Sequence, residues 1–162
     1  MSAADVTTVA ALVVTGLMAG LWFAWMVSVI PGTRRVDDHT YVTTMQTINR
    51  AIINPGFILP FLLTPALLAI AGVAQWRSGD QRRGGLLLAA GGTYLVGVLG
   101  VTFGGNVPLN NALDRVPLAD SSDDELNRAR TTYERPWNRW HGARTVANLA
   151  ALTIALIAVI ED

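Results

Sequence analysis

The chain has no cysteine, and none of its twelve basic residues is lysine. The first absence excludes a disulfide, a thiolate-held metal and a cysteine nucleophile. The second leaves arginine as the only permanently charged cation. That is the usage of a GC-rich bacterial genome, and the functional alternative is a set of sites that need the planar, bidentate guanidinium. Charge is sparse as well. Twelve acids balance the twelve arginines to a formal net charge of zero over 162 residues, which argues against a nucleic-acid partner. There is no P-loop, dinucleotide fingerprint, Ser-His-acid pattern or HExxH, no long-period repeat and no low-complexity segment.

What the chain does have is long uncharged runs. Val6–Ile30, Gly56–Trp76 and Gly84–Leu113 hold 25, 21 and 30 residues. A helix rising about 1.5 Å per residue needs roughly 20 apolar residues to cross about 30 Å of hydrocarbon. The fourth run, Thr145–Ile160, has only 16. Extended back to Trp137 it becomes long enough, and it then carries His141 and Arg144 into the spanning helix. Lipid offers the backbone no water to bond with, so the spans should be helices. The expectation is an all-α fold in one integral-membrane domain, 1–162: a four-helix transmembrane bundle with spans at about 6–30, 56–76, 85–106 and 137–160. The first run has no basic leader and exceeds the apolar core of a signal peptide, so it reads as a retained span. The turn between the second and third spans carries Arg77, Arg82 and Arg83, and the other nine arginines fall on the opposite side. The positive-inside rule then puts the polar-rich face in the cytoplasm of a bacterial cell, with both termini across the membrane.

Local signals divide the chain further. Pro31-Gly32 stops the first span. Asp37 or Asp38 then caps a helix in which Val42, Met45, Ile48 and Ile52 recur at steps of three or four, giving an interfacial amphipathic helix. Pro60 and Pro65 should bend the second span. The third contains Gly91, Gly92, Gly97, Gly100, Gly104 and Gly105, and the first contains Gly16-x-x-x-Gly20. Small residues permit close helix contact, either inside the monomer or in a homo-oligomer formed through the glycine-rich faces. The third helix should break at Val107-Pro108. Ser122-x-x-Glu125 opens a short soluble helix to about Arg135, its charges Asp123, Asp124, Arg128 and Arg130 read as a solvated face, and Pro136 restarts the chain for the last span.

Four passes through the membrane bring the polar clusters to one side. Trp137 and His141 are four apart, as are Trp140 and Arg144, so each pair shares a helix face. An arginine one turn inside a span is expensive and points to a site, the alternative being that it snorkels to the interface. Asn49, Arg50, Asn54, Asn106 and Asn110 join it at the same end. Any one amide is ordinary interhelical glue; the convergence is harder to explain that way. His39 follows Asp37 and Asp38, so His39 and His141 are the candidates if a metal is held, though neither spacing nor ligand number is diagnostic and no metal site is favoured.

Met45-Gln46-x-Ile48-Asn49-Arg50, Asn54-Pro55, Gly105-Asn106-Val107-Pro108-Leu109-Asn110 and Trp140-His141-x-x-Arg144-Thr145 together resemble the anthrone oxygenase-like family of small membrane proteins. The Asn-Val-Pro-Leu-Asn segment is the most specific piece. His141 stands where the family often has Asn, so its role does not follow from the resemblance. The resemblance implies oxidation of anthrones to anthraquinones by O2 without an organic cofactor. On that reading the substrate is a hydrophobic phenolic or polyketide molecule, and the lipid bilayer is the protein's other partner. Chemistry, rather than the resemblance, assigns the roles: His141 as base, Arg50 and Arg144 holding the enolate or peroxide oxygen, Asn49, Asn106 and Asn110 orienting them, and Trp137 and Trp140 stacking on the rings, with Asn54, Asn106 and Asn110 also counted among the substrate-binding residues. The rival readings are a metal-dependent membrane oxidase using His39 and His141, and a non-enzymatic small carrier or assembly partner.

Overall fold

In the computed structural model, which describes residues 2–160, all regular structure is helical. The helices are α1 (Ala3–Thr33), α2 (Asp38–Ala51), α3 (Pro55–Arg77), α4 (Gln81–Asp114) and α5 (Asp123–Ile160). Of these α1, α3, α4 and α5 are long and apolar enough to cross a membrane. Large apolar side chains face outward along them, including Val6, Val9, Val13 and Leu17 on α1 and Val146, Leu149, Leu156 and Ile160 on α5. Water would drive such a surface to associate, whereas lipid solvates it. The fold is therefore the expected four-span helical membrane protein, with α2 as the amphipathic addition. Asp37 caps α2, its carboxylate accepting from the Thr40 amide and hydroxyl, and these bonds hold the carboxyl below its ordinary range.

The interior is built from small residues. Ala11, Ala71, Ala90, Ala151 and Ala155 are all fully buried, which lets the helices approach closely where hydrophobic drive is absent. A close backbone approach joins α3 to α4. A Cβ on Gly84 would lie 2.7 Å from both the Gly72 carbonyl and the Trp76 amide nitrogen. Gly79 turns the chain between the two helices at φ 103°, in the left-handed region that favours glycine. Up to Tyr94, α4 packs on both α3 and α5; beyond it, α4 draws away from α3 and keeps its packing on α5. Gly16 and Gly20 do not serve the monomer in this way, since a Cβ at either would meet nothing within 4 Å.

Proline behaves differently from expectation. The third span does not break at Val107-Pro108. It runs on to Asp114 because the turn before the proline widens: the Val107 amide donates to Thr102 O, five residues back. A wide turn relieves the contact between the proline ring and the preceding carbonyls that would otherwise end the helix. The same device precedes Pro31, where the Ile30 amide donates to Trp25 O, and the first helix continues to Thr33. Pro60 and Pro65 sit inside α3 without interrupting it. Pro136 does not restart the chain either. The short soluble helix and the last span are one 38-residue helix, opened by the expected reciprocal Ser122–Glu125 cap. The acceptor that Pro136 leaves without a donor belongs to Thr132, which is exposed and can be hydrated.

Arg130 is not part of a solvated face. Its side chain is only 15% exposed. It donates to Glu134 and Asp38 carboxylates and to the Val36, Thr33 and Arg34 carbonyls, and it lies 4.5 Å over the Tyr41 ring. Burial pushes the Tyr41 phenol up, so the ring beneath the cation is neutral. This one residue fastens the α1–α2 turn to α5. Gln46 does the corresponding work at the other edge of α2, donating to the Leu113 and Val116 carbonyls at the end of α4. Replacing Arg130 by alanine leaves Asp38 only the Asn127 amide and Glu134 only the long contact with Arg34, strips the donor from three carbonyls, and should lower stability by about 2–3 kcal/mol, read as a fall in Tm of the purified protein in detergent. An unchanged Tm would show the clamp to be ornamental.

Candidate functional site

The last helix carries Arg144 to the floor of a cavity of about 360 Å³ at the polar end of the bundle, a size common for small-molecule pockets. Arg144 is 6% exposed. Its guanidinium lies 4.1 Å over the Trp22 ring and 5.3 Å from that of Trp137. It donates to Thr102 Oγ1 at 3.4 Å and, through Nε and Nη2, to His141 Nδ1 at 3.3 and 3.0 Å. Among the described residues no carboxylate lies within ion-pair distance of it. Snorkelling does not describe this arrangement, because the head group is enclosed by aromatic rings. The charge is held by ring faces and two neutral acceptors, and two of its five N–H donors are left over.

His141 is fully buried, stacked on Trp137 at 5.2 Å. Its Nε2 is 3.1 Å from the Trp22 carbonyl, which can only accept, so Nε2 carries the hydrogen. Its Nδ1 faces the guanidinium, which can only donate, so Nδ1 presents its lone pair. The partners thus fix one neutral tautomer and occupy both nitrogens. His141 does not line the cavity, and what it touches is Arg144.

Five of the nine expected site residues do line the cavity: Asn49, Arg50, Asn110, Trp137 and Arg144. Asn110 organises one wall. Its Oδ1 accepts from Trp137 Nε1 at 2.7 Å and from the Tyr133 hydroxyl at 2.9 Å, and Asn49 Nδ2 in turn donates to that hydroxyl at 3.1 Å. Arg50 pairs with Asp114 at 2.7 Å on the margin. The other four stand apart. Asn54 is the exposed cap of α3, bonded to the Phe57 amide and the Ala51 carbonyl. Asn106 is buried and donates to the Trp137 carbonyl, a structural tie between α4 and α5. Trp140 covers Gly105, whose added Cβ would be 2.6 Å from the indole, and is 44% exposed on the outer side. His141 is the fourth.

The remaining walls escaped sequence reasoning. Trp22 and Trp25 come from α1, Phe57 and Phe61 from α3, Phe103 from α4, and Asp114 from its end. Trp22 meets Phe57 and Phe61 edge-on, at 5.8 and 6.3 Å. Its indole N–H is buried with no protein acceptor. Inside an apolar run an aromatic looks like any other core residue, so the sequence carries no signal that marks these positions. His39 is exposed on the first turn of α2, and both nitrogens of His141 are engaged elsewhere, so the structure does not assemble the two histidines into one site. Among the described residues no cluster of three or more His, Cys, Asp or Glu side chains could hold a metal.

A family model described as anthrone oxygenase matches residues 51–154. The chain belongs to the anthrone oxygenase family. The match spans Asn54 to the body of α5 and so includes Asn110, Trp137 and Arg144. It stops short of Asn49 and Arg50 and leaves out α1, yet the fold brings Trp22, Trp25, Asn49 and Arg50 to the same cavity as the family's matched region. No curated protein and no solved structure matches the chain.

Asn110→Ala should take the acceptor from the Trp137 indole and the Tyr133 hydroxyl together, lowering stability by about 1–3 kcal/mol and red-shifting the tryptophan emission as Trp137 loosens. Thermal unfolding with fluorescence reads both; no change in either would remove Asn110 as the organiser of that wall.

Proposed function

We propose that the protein is a membrane-embedded oxygenase that binds an aromatic enol or phenol, of the anthrone type, as its anion and lets it react with O2 without an organic cofactor. The observation that carries this reading is Arg144: a buried guanidinium with no counter-ion among the described residues, at the floor of a cavity walled by aromatic rings. Such a site wants a planar, apolar molecule bearing one anionic oxygen. Family membership supports the oxygenase class.

The chemistry follows from the substrate's own acidity. An anthrone CH2 flanked by two rings loses a proton to give a delocalised enolate whose oxygen Arg144 would stabilise. The electron-rich anion passes one electron to O2, and the resulting radical and superoxide recombine to a carbon-bound peroxide. Loss of the second C–H proton with cleavage of the O–O bond leaves the ketone and water, so that CH2 and O2 become C=O and H2O. With both nitrogens of His141 engaged, Asp114 is the carboxylate on the cavity wall that can take the first proton, and His141 is a positioning residue for Arg144. Trp22 Nε1, a buried donor without an acceptor among the described residues, belongs to the indole that Arg144 covers. The polar end of the bundle faces the cytoplasm in this proposal, by the arginine count.

The direct test is oxygen uptake with a panel of anthrones, using purified, metal-analysed protein in detergent. Uptake at stoichiometric quinone formation in metal-free protein supports the proposal; uptake that tracks bound copper or iron would replace it with a metal-dependent oxidase, and tight binding without turnover would leave a carrier. Arg144→Lys keeps the charge but loses the planar fork, and should reduce kcat/KM by about 100-fold with a normal yield of folded protein. Full activity in that variant would reduce Arg144 to a structural cation. His141→Asn can still accept from the guanidinium, so turnover should persist within about tenfold and the acid limb of the pH–rate profile should stay where it is. If the limb disappears, His141 is the base after all.

A further inference from the structure

The margin of the cavity has two unlike parts. One is polar and exposed: Arg50 from the end of α2, with Asn111 and Asp114 from the end of α4. The other belongs to the apolar outer surface of the bundle: Ile53, Leu62 and Phe103 line the cavity while being 72%, 45% and 56% exposed. This apolar margin lies between α3 and α4. Those helices are pinned together at Gly72 and Gly84 but part company beyond Tyr94, where α4 keeps only its packing on α5. The cavity occupies the resulting cleft, spanned by the Phe61 and Phe103 rings at 6.1 Å. The polar margin, by contrast, is bridged by the Arg50–Asp114 ion pair.

We infer that the cavity is loaded sideways from the hydrocarbon layer, through a portal between α3 and α4, while the Arg50–Asp114 pair bars the aqueous side. This rests on the reading of the cavity as an aromatic-anion site and adds the phase from which the ligand comes. A ligand crossing an apolar margin must cross it uncharged, since an unpaired anion in lipid is strongly disfavoured. The substrate class is therefore narrowed to neutral, lipid-soluble polycyclic phenols and ketones that ionise only after reaching Arg144. Phenols already ionised or sulfonated in water are excluded.

Because the chain has no native cysteine, Leu62→Cys/Phe103→Cys supplies the only two thiols. The variant, reconstituted in lipid nanodiscs, is closed with bis-methanethiosulfonate linkers of graded length and reopened with reductant. Association of 1,8-dihydroxyanthraquinone is followed by quenching of tryptophan emission, so turnover is not required. Closure should slow association at least tenfold, and reduction should restore it. In the open protein the rate should follow the probe's mole fraction in lipid, and anthraquinone-2,6-disulfonate, confined to water, should associate at least tenfold more slowly. An association rate unchanged by every linker, or a disulfonate that binds as fast as the lipid-soluble probe, would overturn the portal alone. Failure of the open protein to bind the anthraquinone at all would overturn the anion-site reading and the portal with it.

Discussion

The structure is organised around a positive charge that has no negative partner among the described residues. Arg144 sits where an isolated ion is least welcome, and its surroundings are what make it tolerable: the faces of Trp22 and Trp137, the lone pair of His141 and the hydroxyl of Thr102. These come from α1, α4 and α5, so stabilising one guanidinium draws three spans into register. Neutral acceptors and ring faces reduce the penalty of burial without cancelling the charge. A carboxylate in their place would have made a satisfied internal ion pair and a closed site. The unspent charge is the property that a ligand can use.

Delivering those groups requires helices that deviate from regular geometry at chosen points. The widened turn ahead of Pro31 contains Trp25, and the one ahead of Pro108 contains Thr102, Phe103 and Asn106. An extra residue in a turn rotates the side chains that follow relative to those before. The proline in each case makes the wide turn the cheaper way to keep the helix continuous. The same prolines that look like stop signals therefore act as devices for aiming aromatic and amide side chains inward while the helix carries on.

Run length and hydropathy disclosed the four spans, and the polar clusters disclosed the end of the bundle where the cavity lies. Capping signals at Asp37 and Ser122 marked helix starts correctly because they depend only on neighbouring residues. Three things were not legible. Proline was read as a break because its local cost is visible in the chain, whereas the compensating wide turn is not. Arg130 was read as solvated because nothing adjacent reveals that the α1–α2 turn folds over it. Within the site, spacing on α5 grouped His141 with Trp137 and Arg144 but could not say which side chain meets the cavity and which one stands behind it. The aromatic walls from α1 and α3 had no polar marker at all.

The continuity of α5 has a consequence for how the site sits in its surroundings. At about 1.5 Å per residue its 38 residues make a rod of roughly 57 Å, against a hydrocarbon layer of about 30 Å. Nearly half of the rod stands outside the lipid, fastened there by Arg130 to the α1–α2 turn, and the same rod carries Trp137 and Arg144. The depth of the cavity floor is therefore measured from an anchor on the water side. A thicker or thinner bilayer would shift the protein's outline against the lipid and alter its tilt, while the distance from floor to rim stays fixed.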